Sequence, residues 1–229
     1  MEKTDYNIEN TNNVALNTLF NNDNFSSHRE ADLNDYNIIK NLGQGSYAVV
    51  KLGTHKKSNM KVAIKIYEKI RLLDYEKMKN VKNEIENLRI LKHENIIQLF
   101  KTIHTLKQIH LIMEYIGSSN LYDHTCLKDK FRLDETNCRE IFSQICNAIR
   151  YIHSNDIIHQ DIKMENILIN KKNKVKLIDF GFSVRTAPDE KISVFCGTPS
   201  YMAPEIVSKR PHHGKPADVW ALGVLLYKL

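Results

Sequence analysis

From Asp35 onward the apolar positions fall in short clusters. The stretch YNIIKNLGQGSYAVVKLGTHKKSNMKVAIKIY carries β-branched and apolar residues broken by glycines and by the polar turn THKKSN. That pattern predicts three successive antiparallel strands. The period then lengthens: Val81, Ile85 and Leu88 recur at helical spacing, Leu91 continues the face, and Glu84 lies one residue off the stripe, at the edge of the buried face. NIIQLFKTI and IHLIMEYI read as two further strands. Gly117 and the following SSN mark a joint. Beyond it Ile141, Ile145, Ala148, Ile149 and Ile152 form the apolar stripe of a strongly amphipathic helix. IIHQDIKMENILIN sets polar residues between strand-like edges, the KKNK turn follows, and VKLIDF reads as a strand. The final apolar run, VWALGVLLYKL, predicts a buried type of helix and is far short of the about 20 residues a membrane span needs.

A strand-rich first part and a helix-rich second part predict a two-lobed α+β architecture, with lobes at 35–115 and 116–229. Residues 1–34 are Asn-rich with few apolar anchors and read as a disordered tail, VALNTLF being at most a short helical turn. No internal repeat is present.

Composition narrows the class. With 229 residues, 42% hydrophobic and 26% charged, the chain can build one large domain or two small cores. The net charge of +6 is uneven: up to Leu33 the only bases are Lys3 and Arg29, against Glu2, Asp5, Glu9, Asp23, Glu30 and Asp32. The rest is therefore more basic than the whole, which suits a phosphate-rich ligand or an acidic partner. Its lysines are scattered without an aromatic-basic ladder, so nucleic acid is not the expected partner. Cys126, Cys138, Cys146 and Cys196 show no C-x-x-C spacing, which argues against zinc. No secretory signal is read, so reduced thiols and an intracellular, cytoplasmic protein are expected.

Four segments carry candidate chemistry. In LGQGSYAVV, Gly43 and Gly45 would let backbone amides approach phosphate oxygens in a hairpin flap, a plain hairpin turn being the bland alternative. A dinucleotide fold would need a helix immediately afterwards, whereas Val49, Val50 and Leu52 continue a strand. No G-x-x-x-x-G-K-[ST] occurs, so a P-loop ATPase is disfavoured. Lys65 ends VAIK inside an apolar strand; a snorkelling surface lysine is the bland reading, but a buried one needs an anion, which Glu84 and a phosphate could supply. Asp179 ends an apolar strand with Gly181 two residues beyond, and with Asn166 it offers oxygen ligands of the type Mg²⁺ takes. Asp161 is then free to orient a hydroxyl, and Lys163 to neutralise a phosphoryl group.

GQGSYAV, VAIK, Glu84, HQDIKMEN, DFG and APE occur in this order, and residues 35–229 thereby resemble a eukaryotic protein kinase. Lys163 in DIKMEN and Thr198 fit the serine/threonine type, and CGTPSYMAPEIV and PADVWALGVLLY resemble the calmodulin-kinase-like and AMP-activated-kinase-related group. The resemblance implies a bilobal protein kinase-like fold, with a small β-rich N-lobe and a helical C-lobe that is truncated. It implies transfer of the γ-phosphate of ATP to protein serine and threonine hydroxyls with Mg²⁺; the rival reading is a catalytically inactive ATP-binding or scaffold protein. By similarity, Leu42, Gly43, Gln44, Gly45, Ser46, Tyr47, Ala48, Val49 and Val50 would cover ATP, with Lys65 on its phosphates and Glu84 holding Lys65. Val50, Ala63 and Leu168 would sandwich the adenine, the backbone of Glu114 and Ile116 would bind its edge, and Met113 would limit the depth. Asn166 and Asp179 would hold the metal, and Asp161, Lys163 and Thr198 would form the catalytic group. Leu88, Leu99, His159 and Phe180 would stack as an apolar column anchored by Asp218.

Ala48 stands where the pattern has a third glycine, and little loss is expected. Gln160 stands where it has an arginine that grips an activation-segment phosphate, and Val194 occupies the usual phosphorylated position. Ordering without that phosphate is therefore expected, neighbouring Ser193 being the main threat. With the last residue at Leu229, Glu205 is expected to lack the downstream arginine that the resemblance would pair with it. Glu165 reads as a solvated carboxylate or as an attractor of a basic substrate residue, Asn120 stands where basophilic relatives carry an acid, and His212 and His213 read as exposed loop residues.

Overall fold

The computed structural model describes residues 30–45, 47–117, 119–126 and 133–229. The Asn-rich tail expected at 1–34 lies almost wholly outside them, as do Ser46 and, for its side chain, Cys126. The chain divides into two compact units, one closing with Met78 and resuming at Leu99–Tyr115, the other formed by Lys79–Gln98 and Ile116–Leu229.

The first unit is an antiparallel sheet of β1 (Tyr36–Gln44), β2 (Ala48–His55), β3 (Lys61–Glu68), β4 (Leu99–His104) and β5 (Gln108–Glu114). The spatial order is β1-β2-β3-β5-β4. Alternation along β3 explains its two faces. Val62, Ile64 and Ile66 point into a core shared with Ile103 and Ile112, onto which Leu33 and Tyr36 pack. Ala63, Lys65 and Tyr67 take the opposite face. Each buried isoleucine stabilises by about 1.5–3 kcal/mol, so the register is strongly set: a one-residue slip would expose all of them.

The expected strand NIIQLFKTI divides. Only Leu99–His104 joins this sheet, because the carbonyl of Asn95 and the amide of Ile97 bond Leu177 in the second unit, at 2.8 and 3.0 Å. Asn95 adds side-chain bonds to Gln144 and to the carbonyl of Val175. Lys79–Gln98, placed before the 115/116 boundary by the sequence, thus packs with the second unit.

Helix α1 (Tyr75–Ile90) is capped by Asp74, whose carboxylate accepts the amide of Glu76 at 2.9 Å. It buries Val81, Glu84, Ile85, Asn87 and Leu88. In the second unit a short α2 (Leu121–Cys126) precedes α3 (Glu135–Ser154), capped by Asp134 and burying the expected Ile141–Ile152 stripe. The two-residue β6 (Ile157–Ile158) pairs with β9 (Val184–Arg185), and β7 (Ile167–Ile169) forms a hairpin with β8 (Val175–Leu177). Asn170 closes that hairpin, its side chain accepting the amides of Lys172 and Lys174. Helices α4 (Pro204–Val207) and α5 (Gly214–Lys228) follow.

The run read as a buried helix is buried on one face only. Ala217, Asp218, Ala221, Leu222 and Leu225 are covered, while Val219, Trp220, Leu226 and Tyr227 are exposed. Glu205 is half-buried rather than enclosed. His213 is exposed as expected, but His212 is not. It is buried because it forms an antiparallel bridge with Ile192, amide to carbonyl both ways at 2.8 and 2.9 Å. Among the described residues Cys138, Cys146 and Cys196 are free thiols, and no helix is long and apolar enough to cross a membrane.

Candidate active site

In the first unit the register gathers most of the residues expected to meet a nucleotide. Val50 lies opposite Lys65, and Leu52 opposite Ala63. On the other flank of β3, Ala63 faces Met113 and Lys65 faces Leu111. Directly opposed residues share a face, so Val50, Ala63, Lys65 and Met113 lie together on the side of the sheet away from the isoleucine core. Lys65 Nζ sits 5.3 Å from the centre of the Tyr67 ring, within cation–π range. Leu42, Gly43 and Gln44 end β1, and Ala48, Val49 and Val50 begin β2. Gly45 N donates to Ala48 O at 2.8 Å and closes the turn that contains Tyr47. A Cβ added at Gly43 would meet no atom within 4 Å. Internal packing therefore does not require glycine there, and the bare backbone is left open to an approaching group. Glu114 ends β5 opposite Val62.

The second unit assembles the polar loop between β6 and β7. Asp161 is buried, and burial of a carboxylate requires donors. It has three: Lys163 Nζ at 2.7 Å and Asn166 Nδ2 at 2.9 Å on Oδ2, and Thr198 Oγ1 at 2.7 Å on Oδ1. Lys163 Nζ also donates to Thr198 Oγ1 at 3.0 Å, closing a ring of three side chains drawn from two distant segments. Asn166 Nδ2 bonds the carbonyl of Asp161 as well, at 2.8 Å. Both bonds use the amide nitrogen, so the amide oxygen faces the other way and is available to a hard cation.

Asp179 reaches this neighbourhood through the hairpin. Ile167 pairs with Leu177, and Ile178 N donates to Asn166 O at 2.9 Å, so Asn166 and Asp179 stand at adjoining ends of β7 and β8. An amide oxygen and one carboxylate suit Mg²⁺, which takes few protein ligands and completes its shell with water and phosphate. Among the described residues no cluster of three or more His, Cys, Asp or Glu is arranged for a metal, which is the pattern of a dedicated zinc or calcium cage. Leu168 lies on β7, half-buried, and Ile116 follows β5.

Beneath the loop, Phe180 is fully buried and meets His159 edge to face, with ring centres 5.0 Å apart. Leu88 is also buried, and Leu99 belongs to β4 of the first unit. Asp218 takes the amides of His159 and Gln160 at 2.9 and 3.0 Å and pairs with His153 Nε2 at 2.8 Å. Cys196 lines the small cavity beside this group, and its thiol is pushed up to about 11 by burial, then by Asp161 and Asp218. That shift disfavours the thiolate, the nucleophilic form, at neutral pH. Ser193 and Val194 are exposed. Sequence reasoning missed Asn87, Ser183 and His212, each polar, buried and short of any local motif.

Residues 36–229 match the protein kinase domain family, and the chain belongs to it. Members of that family generally use ATP and Mg²⁺. Curated relatives include NUAK family SNF1-like kinase 1 of Homo sapiens, 40% identical over 194 residues, covering 85% of this chain and 29% of the relative. Serine/threonine protein kinase OSK3 of Oryza sativa subsp. japonica is 40% identical over 202 residues, covering 88% of this chain and 39% of the relative. The chain thus spans well under half the length of these relatives.

Proposed function

We propose that this chain transfers the γ-phosphate of ATP to serine and threonine hydroxyls of protein substrates with Mg²⁺. The observation that carries the reading is the Asp161 carboxylate held by Lys163, Asn166 and Thr198, which leaves one fixed acceptor for an incoming hydroxyl. Asp161 orients that hydroxyl and takes its proton. Lys163, 2.7 Å from the same carboxylate, sets a positive charge where charge develops on the phosphoryl oxygens. Asn166 and Asp179 would hold a Mg²⁺ ion, which would supply neutralisation of the phosphate charge. The β1–β2 residues Leu42–Gly45 and Tyr47–Val50 would cover the nucleotide, and Lys65 would meet its phosphates; Ser46, expected with them, lies outside the described residues. Within the first unit Val50, Ala63 and the backbone of Glu114 would meet the adenine, and within the second Leu168 and the backbone of Ile116 would do so. The buried Glu84 carboxylate is the expected anion for a lysine.

Ordering of the activation segment does not depend on phosphorylation. Gln160 is fixed by Asp218 through its backbone, and the Ile192–His212 bridge fastens the segment without a phosphate. The test is transfer of labelled phosphate from Mg·ATP to a generic basic protein, with Asp161→Asn as control. Mg·ATP-dependent thermal stabilisation with transfer supports the reading; a folded chain with neither sinks it.

A further inference from the structure

Helix α1 carries a polar residue inside the face it buries. Asn87 is only 5% exposed, and its Nδ2 donates to Ser183 Oγ at 2.8 Å, across 96 residues of sequence. Ser183 is fully buried, and its hydroxyl donates onward to the carbonyl of Phe180 at 2.5 Å. The Ser183 amide joins the same carbonyl at 3.0 Å. Amide, hydroxyl and carbonyl thus form a relay in a buried site, where successive bonds polarise one another and a missing member is costly.

The turn that receives this relay begins with Asp179, whose φ is +62°. A left-handed conformation costs a non-glycine residue about 1–2 kcal/mol, so the surroundings must hold it. Phe180 is anchored on one side by its buried ring against His159. On the other side its carbonyl is held by Ser183, and Ser183 by α1. Asn87 lies three residues beyond Glu84, on the same helical face, and Glu84 is 1% exposed.

We propose that Asn87 and Ser183 are positioning residues for phosphoryl transfer, a buried latch that ties the rotation of α1 to the Asp179–Ser183 turn and keeps Asp179 in the left-handed conformation that presents its carboxylate to Mg²⁺. The proposal rests on the reading of Asp179 as the metal-holding carboxylate. A bond that served stability alone would be replaceable by apolar contact, and the latch is not.

Three variants of the full chain separate the two: Asn87→Leu, Ser183→Ala and the double variant. Each single change strands a buried polar partner and lowers the thermal midpoint, while removing both restores most of it. The latch predicts that the double variant regains its midpoint yet keeps a kcat about tenfold down and a half-saturating Mg²⁺ concentration about tenfold up. Hydrogen exchange without nucleotide gives a second readout. The amides of 180–183 exchange about tenfold faster in the double variant, and that of Leu177 is unchanged. Recovery of kcat and of the Mg²⁺ requirement along with the midpoint overturns the proposal. Unchanged exchange at 180–183 overturns it whether or not any variant transfers phosphate. If the wild-type chain transfers none, the phosphotransferase reading falls, and exchange alone then decides the latch.

Discussion

Asp218 holds Gln160 by the main chain: one carboxylate oxygen accepts the Gln160 amide at 3.0 Å, and Gln160 sits at φ +65°. The other oxygen accepts from His159, so the residue before the catalytic loop is positioned without its side chain. Gln160→Ala is therefore expected to change stability by no more than about 0.5 kcal/mol. Asp218→Ala removes the acceptor of two buried amides and the partner of His153. It is expected to cost at least about 3 kcal/mol. Urea midpoints of the two variants check the contrast, and a large loss in Gln160→Ala would show that the side chain matters after all.

Gly197 has φ +108°, and a Cβ there would lie 2.7 Å from the carbonyl oxygen of Gln160. Neither atom can give way, since Asp218 fixes the Gln160 backbone. Gly197→Ala should lose about 2–3 kcal/mol, read by thermal unfolding. Gly43→Ala should behave oppositely, with an unchanged melting temperature and weaker Mg·ATP binding by titration, because open space surrounds that carbon.

Thr198 bridges Asp161 and Lys163 through one hydroxyl. Thr198→Ala is expected to lower kcat by about ten- to a hundredfold, the scale of a charge-assisted hydrogen bond, and Thr198→Ser to restore most of it. Steady-state kinetics with a protein substrate decide. Equal defects in both variants would mean that the methyl group, not the hydroxyl, is required.

His110 is buried in the sheet and His93 is half-buried beside Tyr151; desolvation holds both below the ordinary histidine value, Glu94 partly opposing this for His93. The folded protein therefore binds fewer protons than the unfolded chain once the pH drops below about 6.5. Stability is full above that pH and is lost as the pH falls toward the lowered native values, with a slope of up to about 1.4 kcal/mol per unit from His110. Chemical denaturation between pH 5 and pH 8, about the histidine range, measures it, and His110→Leu should flatten the curve.

Cys196 should resist alkylation. With its thiol near 11, only about one molecule in a thousand is a thiolate at pH 8. Iodoacetamide labelling followed by mass spectrometry should find it nearly unmodified in the folded protein and reactive in urea. Rapid labelling of the native state would contradict the burial described here.

The strands of the sheet and the apolar stripe of α3 were legible because period and burial agree along a single segment. Motif spacing also put Asp161, Lys163, Asn166 and Asp179 near one hairpin, and the structure bonds Asp161 to Lys163 and Asn166 there. Asn87 was not legible: a polar residue in a helix reads as solvent-facing until its partner is known, and Ser183 lies far along the chain. His212 failed for a like reason, since a histidine pair between Pro211 and Gly214 reads as loop, and only the bridge to Ile192 buries it. The strand begun at Asn95 was drawn too long because Ile96 and Ile97 are apolar toward β8 rather than toward the sheet.

Asn166 and Asp179 flank the β7–β8 hairpin at its base, while Lys171–Lys174 form its far tip, closed by Asn170. Asn173 ties the tip to α3, its carbonyl accepting from Gln144 at 2.8 Å and its side-chain amide donating to Asn137 at 2.7 Å. Extra sequence such as an epitope tag therefore belongs at the exposed Lys171–Lys172 corner, where it would leave the pairing of β7 with β8, and so Asn166 and Asp179, in step. One residue added inside either strand would throw them out of step, so that corner is the place to attach a reporter.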